Sequence, residues 1–147
     1  MKITSFAAES FRNIEKCDIS FTDGVNLLIG ENAQGKTNVV EGIYLFSRGR
    51  SFRTSSDRDM IRFGDPGFRV SLTYEEGKTE NTLSYAMFGN ERRRMKNGIR
   101  LSGASEMVGN FRAVLFCPDH LGLVKDGPEK RREFLNVGIS ATDRAFV

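Results

Sequence analysis

The sequence has 147 residues, of which 39% are hydrophobic and 28% are charged, a composition typical of one globular domain and not of a disordered chain. No apolar run approaches the roughly 20 residues that a transmembrane helix needs, and the N-terminus lacks a secretory apolar core, so we expect a cytoplasmic protein without membrane contact. The net charge of +3 permits nucleic-acid binding without requiring it.

Two short strands are predicted near the start of the chain. Residues 3–6 predict a short strand, and Cys17, Ile19 and Phe21 alternate with polar residues, as in a strand with one buried face. We expect these strands to pair antiparallel, with residues 11–14 (FRNI) in the connection. Cys17 and Cys117 have no partner at metal-ligand spacing, so we expect buried, reduced thiols.

Residues 25–47 have the order of a strand, a glycine-rich loop and a helix. Residues 25–29 are almost all apolar, which predicts a strand buried on both faces. Residues 30–37 (GENAQGKT) match the phosphate-loop pattern, and apolar residues at helical spacing then predict a helix over about residues 35–47. Gly42 inside this helix indicates close packing against a neighbour.

The phosphate loop, residues 30–37, predicts a nucleotide site. Backbone N–H groups of residues 32–37 would point into one concavity at a helix N-terminus, which favours an anion such as a triphosphate. Lys36 would reach the β- and γ-phosphates, and the Thr37 hydroxyl would ligate Mg²⁺. A glycine-rich turn without a ligand is the alternative. The whole loop is the predicted ATP site: Gly30, Glu31, Asn32, Ala33, Gln34, Gly35, Lys36 and Thr37.

The middle of the chain predicts antiparallel strands. Ser55 or Ser56 can cap a short helix that runs through Met60 and Ile61, with Gly64 ending it. Residues 68–101 then alternate in polarity between turn signals, of which Asn97-Gly98 is the strongest. We expect a β-subdomain inserted after the nucleotide-binding unit.

The last part of the chain predicts a strand and two helical segments. Residues 104–108 can form one or two helical turns, and the apolar residues 113–117 are a candidate central strand that Pro118 ends. Pro128 suits the first turn of a helix, with Asp126 or Gly127 as its cap.

Two groups of basic residues indicate positive patches, although such groups are also common on ordinary solvated surfaces. They are Arg48, Arg50, Arg53 and Arg58, and Arg92, Arg93, Arg94 and Lys96.

An acidic partner for the phosphate loop is missing from the sequence. A hydrolase of this class needs a carboxylate at the end of an apolar strand to hold Mg²⁺ and polarise water. Asp119 comes closest, but it follows Pro118 in a predicted loop, and His120 beside it has no catalytic partner at a recognisable spacing. Either the chain is truncated, or a partner completes the site, or the protein binds without hydrolysing.

Several segments together resemble the RecF family, bacterial recombination and gap-repair ATPases of the SMC-like ABC class. The segments are residues 11–13 (FRN), the phosphate loop with Asn38 and Glu41, residues 49–54 (GRSFRT), residues 116–121 (FCPDHL), and Pro128 with Arg131, Arg132, Phe134 and Leu135. The resemblance covers essentially the whole chain.

The resemblance implies an α/β fold, namely the N-terminal lobe of an ABC-type P-loop NTPase head with a mixed sheet and an antiparallel β-subdomain. It implies that residues 1–147 are a single ATP-binding domain, with the signature motif, the Walker B acids and a helical arm lying beyond it. It also implies an ATP-dependent homodimer that binds double-stranded DNA at gaps, works with RecR and helps to load RecA in recombination and the SOS response.

Residue roles also follow from the resemblance. Arg12 and Asn13 match an element whose arginine lies near the nucleotide phosphates, although Arg12 could be an exposed loop arginine. Arg50 and Arg53 match a loop that could serve nucleotide, dimer or DNA, and Arg92, Arg93 and Arg94 are further DNA candidates. The sequence departs from the family at Phe52, at Asp119-His120 and at Asn136, which puts any metal or water-positioning role of the loop around Pro118 in doubt.

Three classes of function remain open. The first is a DNA-repair ATPase head that binds ATP and alone hydrolyses little. The second is another P-loop protein, such as an SMC-like ATPase or a small-molecule kinase, and the third is a nucleotide-sensing module that does not hydrolyse.

Overall fold

A six-stranded antiparallel sheet forms the body of the protein in the computed structural model, which describes residues 1–117 and 127–142. The strands stand in the order β2-β1-β3-β4-β5-β6. They are β1 Lys2–Phe11, β2 Ile14–Ser20, β3 Gly67–Glu76, β4 Thr79–Phe88, β5 Glu91–Lys96 and β6 Ile99–Leu101. The helices are α1 Lys36–Arg48, a 3-10 turn at Asp57–Met60, α2 Ala104–Met107 and α3 Pro128–Thr142.

The core lies between one face of this sheet and α1. Alternate residues of β3, from Phe68 to Tyr74, are buried, as period-two patterning requires, and they pack with Leu45 and Phe46 of the helix. Gly42 lies against the ring of Phe6, and a β-carbon added to Gly42 would be 2.4 Å from Cζ of Phe6. The close packing predicted at Gly42 is therefore confirmed.

The predicted antiparallel β-subdomain is confirmed, but it is not confined to strands that follow the phosphate loop, because it also contains β1 and β2. β3 pairs with β1 along almost its whole length, so the strands before and after the phosphate loop belong to one sheet. β1 is also longer than predicted. The Asn97-Gly98 turn between β5 and β6 is confirmed, with φ of 49° and 80° at its two residues.

The two buried strands predicted at residues 25–29 and 113–117 are corrected by the structure. Neither segment is a strand, and Ile29 and Val114 are 87% and 99% exposed. A strand buried on both faces needs hydrogen-bonding neighbours and apolar cover. Residues 1–117 and 127–142 supply neither to these segments.

The remaining predictions have mixed outcomes. The short helix is a single 3-10 turn after Ser56, which gives no side-chain cap, and α2 and α3 form where expected. Both cysteine side chains are only partly buried, and burial raises the pKa of the Cys17 thiol. Pro118, Asp119, His120 and Asp126 lie outside the described residues. Among the described helices, none has the length and apolar character to cross a membrane.

Candidate nucleotide-binding site

The phosphate loop curls through three backbone conformations that L-residues rarely adopt. Gly30 has φ of 155°, Ala33 of 65° and Gly35 of 90°. Gly35 is also packed tightly, since a β-carbon there would lie 3.1 Å from the side chains of both Asn13 and Ile14. The second glycine of the motif is therefore required by its backbone and by its neighbours.

The first turn of α1 is open to an anion. The helix begins at Lys36, after Gly35, and no described side chain caps its N-terminus. Val39 makes the first intrahelical bond, from its N–H to the Gly35 carbonyl at 2.9 Å, and the first turn contains no acidic residue. Uncapped N–H groups and the positive end of the helix dipole favour an anionic group at this position.

Lys36 closes the loop on itself. Its Nζ donates to the carbonyl oxygens of Gly30 at 2.7 Å and Glu31 at 2.6 Å. The ammonium group therefore lies within the curl, where it adds a full charge to the helix N-terminus. Thr37, the predicted Mg²⁺ ligand, is exposed next to it. No three His, Cys, Asp or Glu side chains gather into a metal site within residues 1–117 and 127–142.

Asn13 connects the turn between β1 and β2 to the phosphate loop. Its Nδ2 donates to the carbonyl oxygen of Ala33, and its Oδ1 accepts a bond from Asn38 Nδ2 at 2.6 Å. The Asn13 side-chain amide therefore binds Ala33, the non-glycine residue of the loop that has a positive φ. The structure thus places Asn13 in contact with the phosphate loop, and its predicted role in nucleotide binding stays a prediction.

Arg12 points to a buried carboxylate that the sequence reasoning missed. Glu41 of α1 is fully buried. The Arg12 guanidinium binds both of its carboxylate oxygens, donating from Nε to Oε2 at 3.1 Å and from Nη2 to Oε1 at 2.5 Å. Arg12 Nη1 also donates to the carbonyl of Asp59 at 2.6 Å. The sequence carried two signals for Glu41, its place in the resemblance to RecF and its charge between the apolar helix positions 39, 40 and 43, but neither assigned it a role or a partner.

The loop after α1 supplies a second arginine to the same carboxylate. Arg53 Nη1 donates to Glu41 Oε2 at 3.0 Å and to Asn38 Oδ1 at 2.8 Å, and the Ser51 hydroxyl donates to Glu41 Oε1 at 2.5 Å. We call Arg12, Glu41, Ser51 and Arg53 the Glu41 cluster. Arg50, by contrast, is exposed and lies outside it.

The arginines of β5 contact side chains of the 3-10 turn, of β4 and of β5 itself. Arg92 Nε bonds Asp57 at 2.6 Å, and the guanidinium of Arg94 lies 4.2 Å from the centre of the Tyr85 ring. Burial and the hydrogen bond with Asp57 raise the pKa of Tyr85. Arg93 is exposed and pairs with Glu91 at 2.9 Å, which lowers the pKa of that carboxyl. The three arginines therefore do not form one free patch.

A cleft of about 500 Å³ opens beside the phosphate loop. One wall is β2, and the other is the exposed segment of residues 27–29. Its polar lining includes Asn13, Gln34 and Lys36, together with Glu15 and Lys16 of β2. The loop therefore has open space next to it, of the size that small ligands occupy in proteins.

The chain is similar to known proteins over most of its length. The DNA replication and repair protein RecF of Clostridioides difficile (strain 630) is 38% identical over 141 residues, which cover 95% of this chain and 38% of that protein. The solved structure of "the recombination mediator protein RecF-ATPrS in RecFOR pathway" superimposes with a TM-score of 0.92 at 33% identity, over 97% of this chain and 39% of that one. The chain thus spans about 40% of the length of RecF proteins.

The fold is shared more widely. A structure from a study of ATP-driven dimerization and DNA-stimulated activation of SMC ATPases matches 93% of this chain and 99% of that chain, with a TM-score of 0.75 at 19% identity. The expected ABC-type head fold and the resemblance to RecF are both confirmed. Residues 1–121 match the family described as AAA ATPase domain, so the chain belongs to that family.

Proposed function

We propose that this chain is the ATP-binding part of the head of a RecF-like DNA repair ATPase. The observation that carries the proposal is the geometry of residues 30–37, a left-handed curl that ends in an uncapped helix N-terminus with Lys36 inside it. Such a concavity of N–H groups and positive charge suits the phosphates of a nucleotide. The likeness to a RecF-ATPrS structure supports ATP as that nucleotide.

Each residue of the loop has a role in this proposal. Gly30 and Gly35 permit the curl, and the backbone N–H groups up to Thr37 hold the phosphates. Lys36 exchanges its two carbonyl partners for phosphate oxygens, which it can do because both bonds are made by a flexible side chain. The Thr37 hydroxyl is exposed at the mouth of the loop and would hold Mg²⁺, which neutralises phosphate charge when bound.

Substitution of Lys36 by Ala tests the nucleotide site. The variant removes the only cationic residue of the sequence 30–37, so we expect ATP binding to fall below detection in titration calorimetry. Lys78→Ala, in the exposed turn between β3 and β4, is the matched control and should bind as the unchanged protein does. An unchanged affinity in Lys36→Ala would refute the assignment.

We further propose that the complete protein acts on DNA. By its resemblance to RecF it would form an ATP-dependent homodimer, bind double-stranded DNA at gaps in the cytoplasm, work with RecR and help to load RecA during recombination and the SOS response. Arg50, Arg53 and Arg93 have the exposed guanidinium groups that phosphate contacts need.

A measurement of ATP hydrolysis distinguishes this proposal from the other two classes of function. A head that needs acidic residues from elsewhere should bind ATP in this chain and turn over almost none. Rapid turnover by the chain alone, measured as phosphate release, would favour a self-sufficient P-loop enzyme such as a small-molecule kinase. Binding without turnover in the complete protein with DNA would favour a sensing module.

A further inference from the structure

Asp57, at the start of the 3-10 turn, faces two arginines of β5. Its Oδ2 lies 2.6 Å from Nε of Arg92 and 3.8 Å from Nη2 of Arg94. The side chain of Asp57 is only 18% exposed, whereas that of Arg92 is 47% exposed. One carboxylate is therefore shared by two cations, one of which is open to solvent.

Arg94 is the fixed partner of Asp57. Its side chain is only 12% exposed, and its guanidinium lies 4.2 Å from the centre of the Tyr85 ring. Nη2 of Arg94 also donates to the Tyr85 hydroxyl at 3.1 Å. Because Tyr85 is fully buried in the close-packed core, Arg94 cannot leave without opening that core. Asp57 therefore keeps a cation nearby even when Arg92 moves away, as a mostly buried carboxylate requires.

Arg92 is the partner that can move. An ion pair that includes a half-exposed side chain contributes little to stability, because water and salt screen it. The 3-10 turn that carries Asp57 is held in place by Arg12. The Arg12 backbone N–H donates to the Met60 carbonyl at 2.8 Å, and Arg12 Nη1 donates to the Asp59 carbonyl at 2.6 Å. A polyanion that approaches β5 can therefore draw the Arg92 guanidinium away while Asp57 stays where it is.

A second exposed guanidinium lies at the same end of β5. Arg58 is exposed, and its Nη2 donates to Oδ1 of Asn90 at 2.5 Å, in the turn that leads into β5. This bond brings Arg58 to the end of the strand that carries Arg92. Two arginine side chains placed in this way suit the closely spaced phosphates of a DNA backbone.

We propose that Asp57 and DNA phosphates compete for Arg92, so that Asp57 limits how tightly the complete protein holds DNA. The inference rests on the proposed action on DNA and adds a control on that contact. Without DNA, Arg92 stays on Asp57. With DNA bound, the Arg92 guanidinium donates to a phosphate, and Arg94 alone neutralises Asp57.

Asp57→Asn in the complete protein tests the competition. The substitution keeps the size of the side chain and removes its charge, so Arg92 becomes available to DNA. We expect about threefold tighter binding to a gapped double-stranded DNA oligonucleotide in fluorescence anisotropy, in the range of a half-exposed ion pair. Asp23→Asn is the matched control, because Asp23 pairs with Lys2 at the same distance of 2.6 Å but away from β5. This control should leave the DNA affinity unchanged.

Arg92→Gln tests whether the gain depends on Arg92. Alone, this variant should weaken DNA binding and reduce the slope of log affinity against log salt by about 1. In the Arg92→Gln background, Asp57→Asn should bring no gain, since both substitutions act on one contact. An equal gain with and without Arg92 would mean that Asp57 only repels DNA by its charge, and it would overturn the proposal.

A purely structural role for Asp57 predicts a different result. Asp57→Asn would then loosen β5 and weaken DNA binding, or leave it unchanged, and either result overturns the proposal. Should Asp57→Asn not fold, Arg92→Gln decides alone, because an unchanged affinity and salt slope would exclude a contact between Arg92 and DNA.

The proposed action on DNA can fail separately. If the unchanged complete protein does not bind DNA, that proposed function is wrong, and the competition is wrong with it. If the unchanged protein binds DNA and Asp57→Asn binds no more tightly, only the role of Asp57 is wrong.

Discussion

Gly42 is a single residue on which the packing of α1 depends. Its position is occupied on one side by Phe6, and a methyl group would meet ring carbons at 2.4 and 2.9 Å. Overpacking of this kind costs about 1–3 kcal/mol, which exceeds the gain of about 1 kcal/mol that Ala brings to a helix. We expect Gly42→Ala to lower the free energy of unfolding in urea denaturation.

Gly103→Ala is the control for this substitution. Gly103 has an extended backbone, and its β-carbon would meet nothing closer than 3.9 Å, so we expect a change within about 0.5 kcal/mol. A Gly42→Ala variant more stable than the unchanged chain would show that α1 does not lie this close to β1.

The sequence allowed predictions about restrictions at single positions, but it did not allow predictions of side-chain contacts between residues far apart in the chain. Gly42 and Asn97-Gly98 were predicted because a helix interior and a tight turn each restrict the residue at one position. Glu41 was missed because its partners Arg12, Ser51 and Arg53 lie 29, 10 and 12 positions away in the chain. A charged residue among apolar ones has no assigned partner until the fold brings one to it.

At the scale of elements, the apolar residues 25–29 were predicted to form a buried strand and are exposed in this chain. An apolar run indicates that a segment will be buried, but it does not say which other strands bury it. Val25, Leu27 and Ile29 are 86%, 76% and 87% exposed in this chain, next to the cleft and the phosphate loop. We expect the additional length of a RecF-like protein to supply their neighbours.

Hydrogen exchange can test this expectation. The backbone amides of residues 25–29 have no strand partner within residues 1–117 and 127–142, so in the 147-residue chain we expect them to exchange rapidly while those of β3 are protected. In the complete protein, the same amides should become protected. β1 serves as the internal reference, since it is paired on both sides in this sheet. Equal exchange of residues 25–29 in the two proteins would contradict the expectation.

At the scale of the whole molecule, the distribution of arginines bears on DNA binding. Reversal of Arg92, Arg93 and Arg94 together would break the contacts with Asp57 and Tyr85 and damage the fold. Arg50 and Arg93 are better choices, because both are exposed and neither is part of the core. Substitutions at these two positions can therefore remove phosphate contacts without lowering the stability of the fold.

We expect Arg50→Glu and Arg93→Glu to weaken DNA binding by the complete protein. Each lost phosphate contact should reduce the slope of log affinity against log salt by about 1. Arg69→Glu, an exposed arginine on β3, is the control for overall charge and should change the slope little. If DNA binding is insensitive to salt in the unchanged protein, phosphate contacts do not drive it.

The pairing of β1 with β3 has a consequence for synthesis on the ribosome. β1 ends at Phe11, whereas β3 begins at Gly67, and the phosphate loop and α1 leave the ribosome between them. The helix therefore emerges before β3, one of the strands it packs on, exists. Since pairings between distant segments form slowly, we expect the nucleotide loop to gain its shape only after Glu76 has been added, so that ATP cannot assist the earliest folding of the nascent chain.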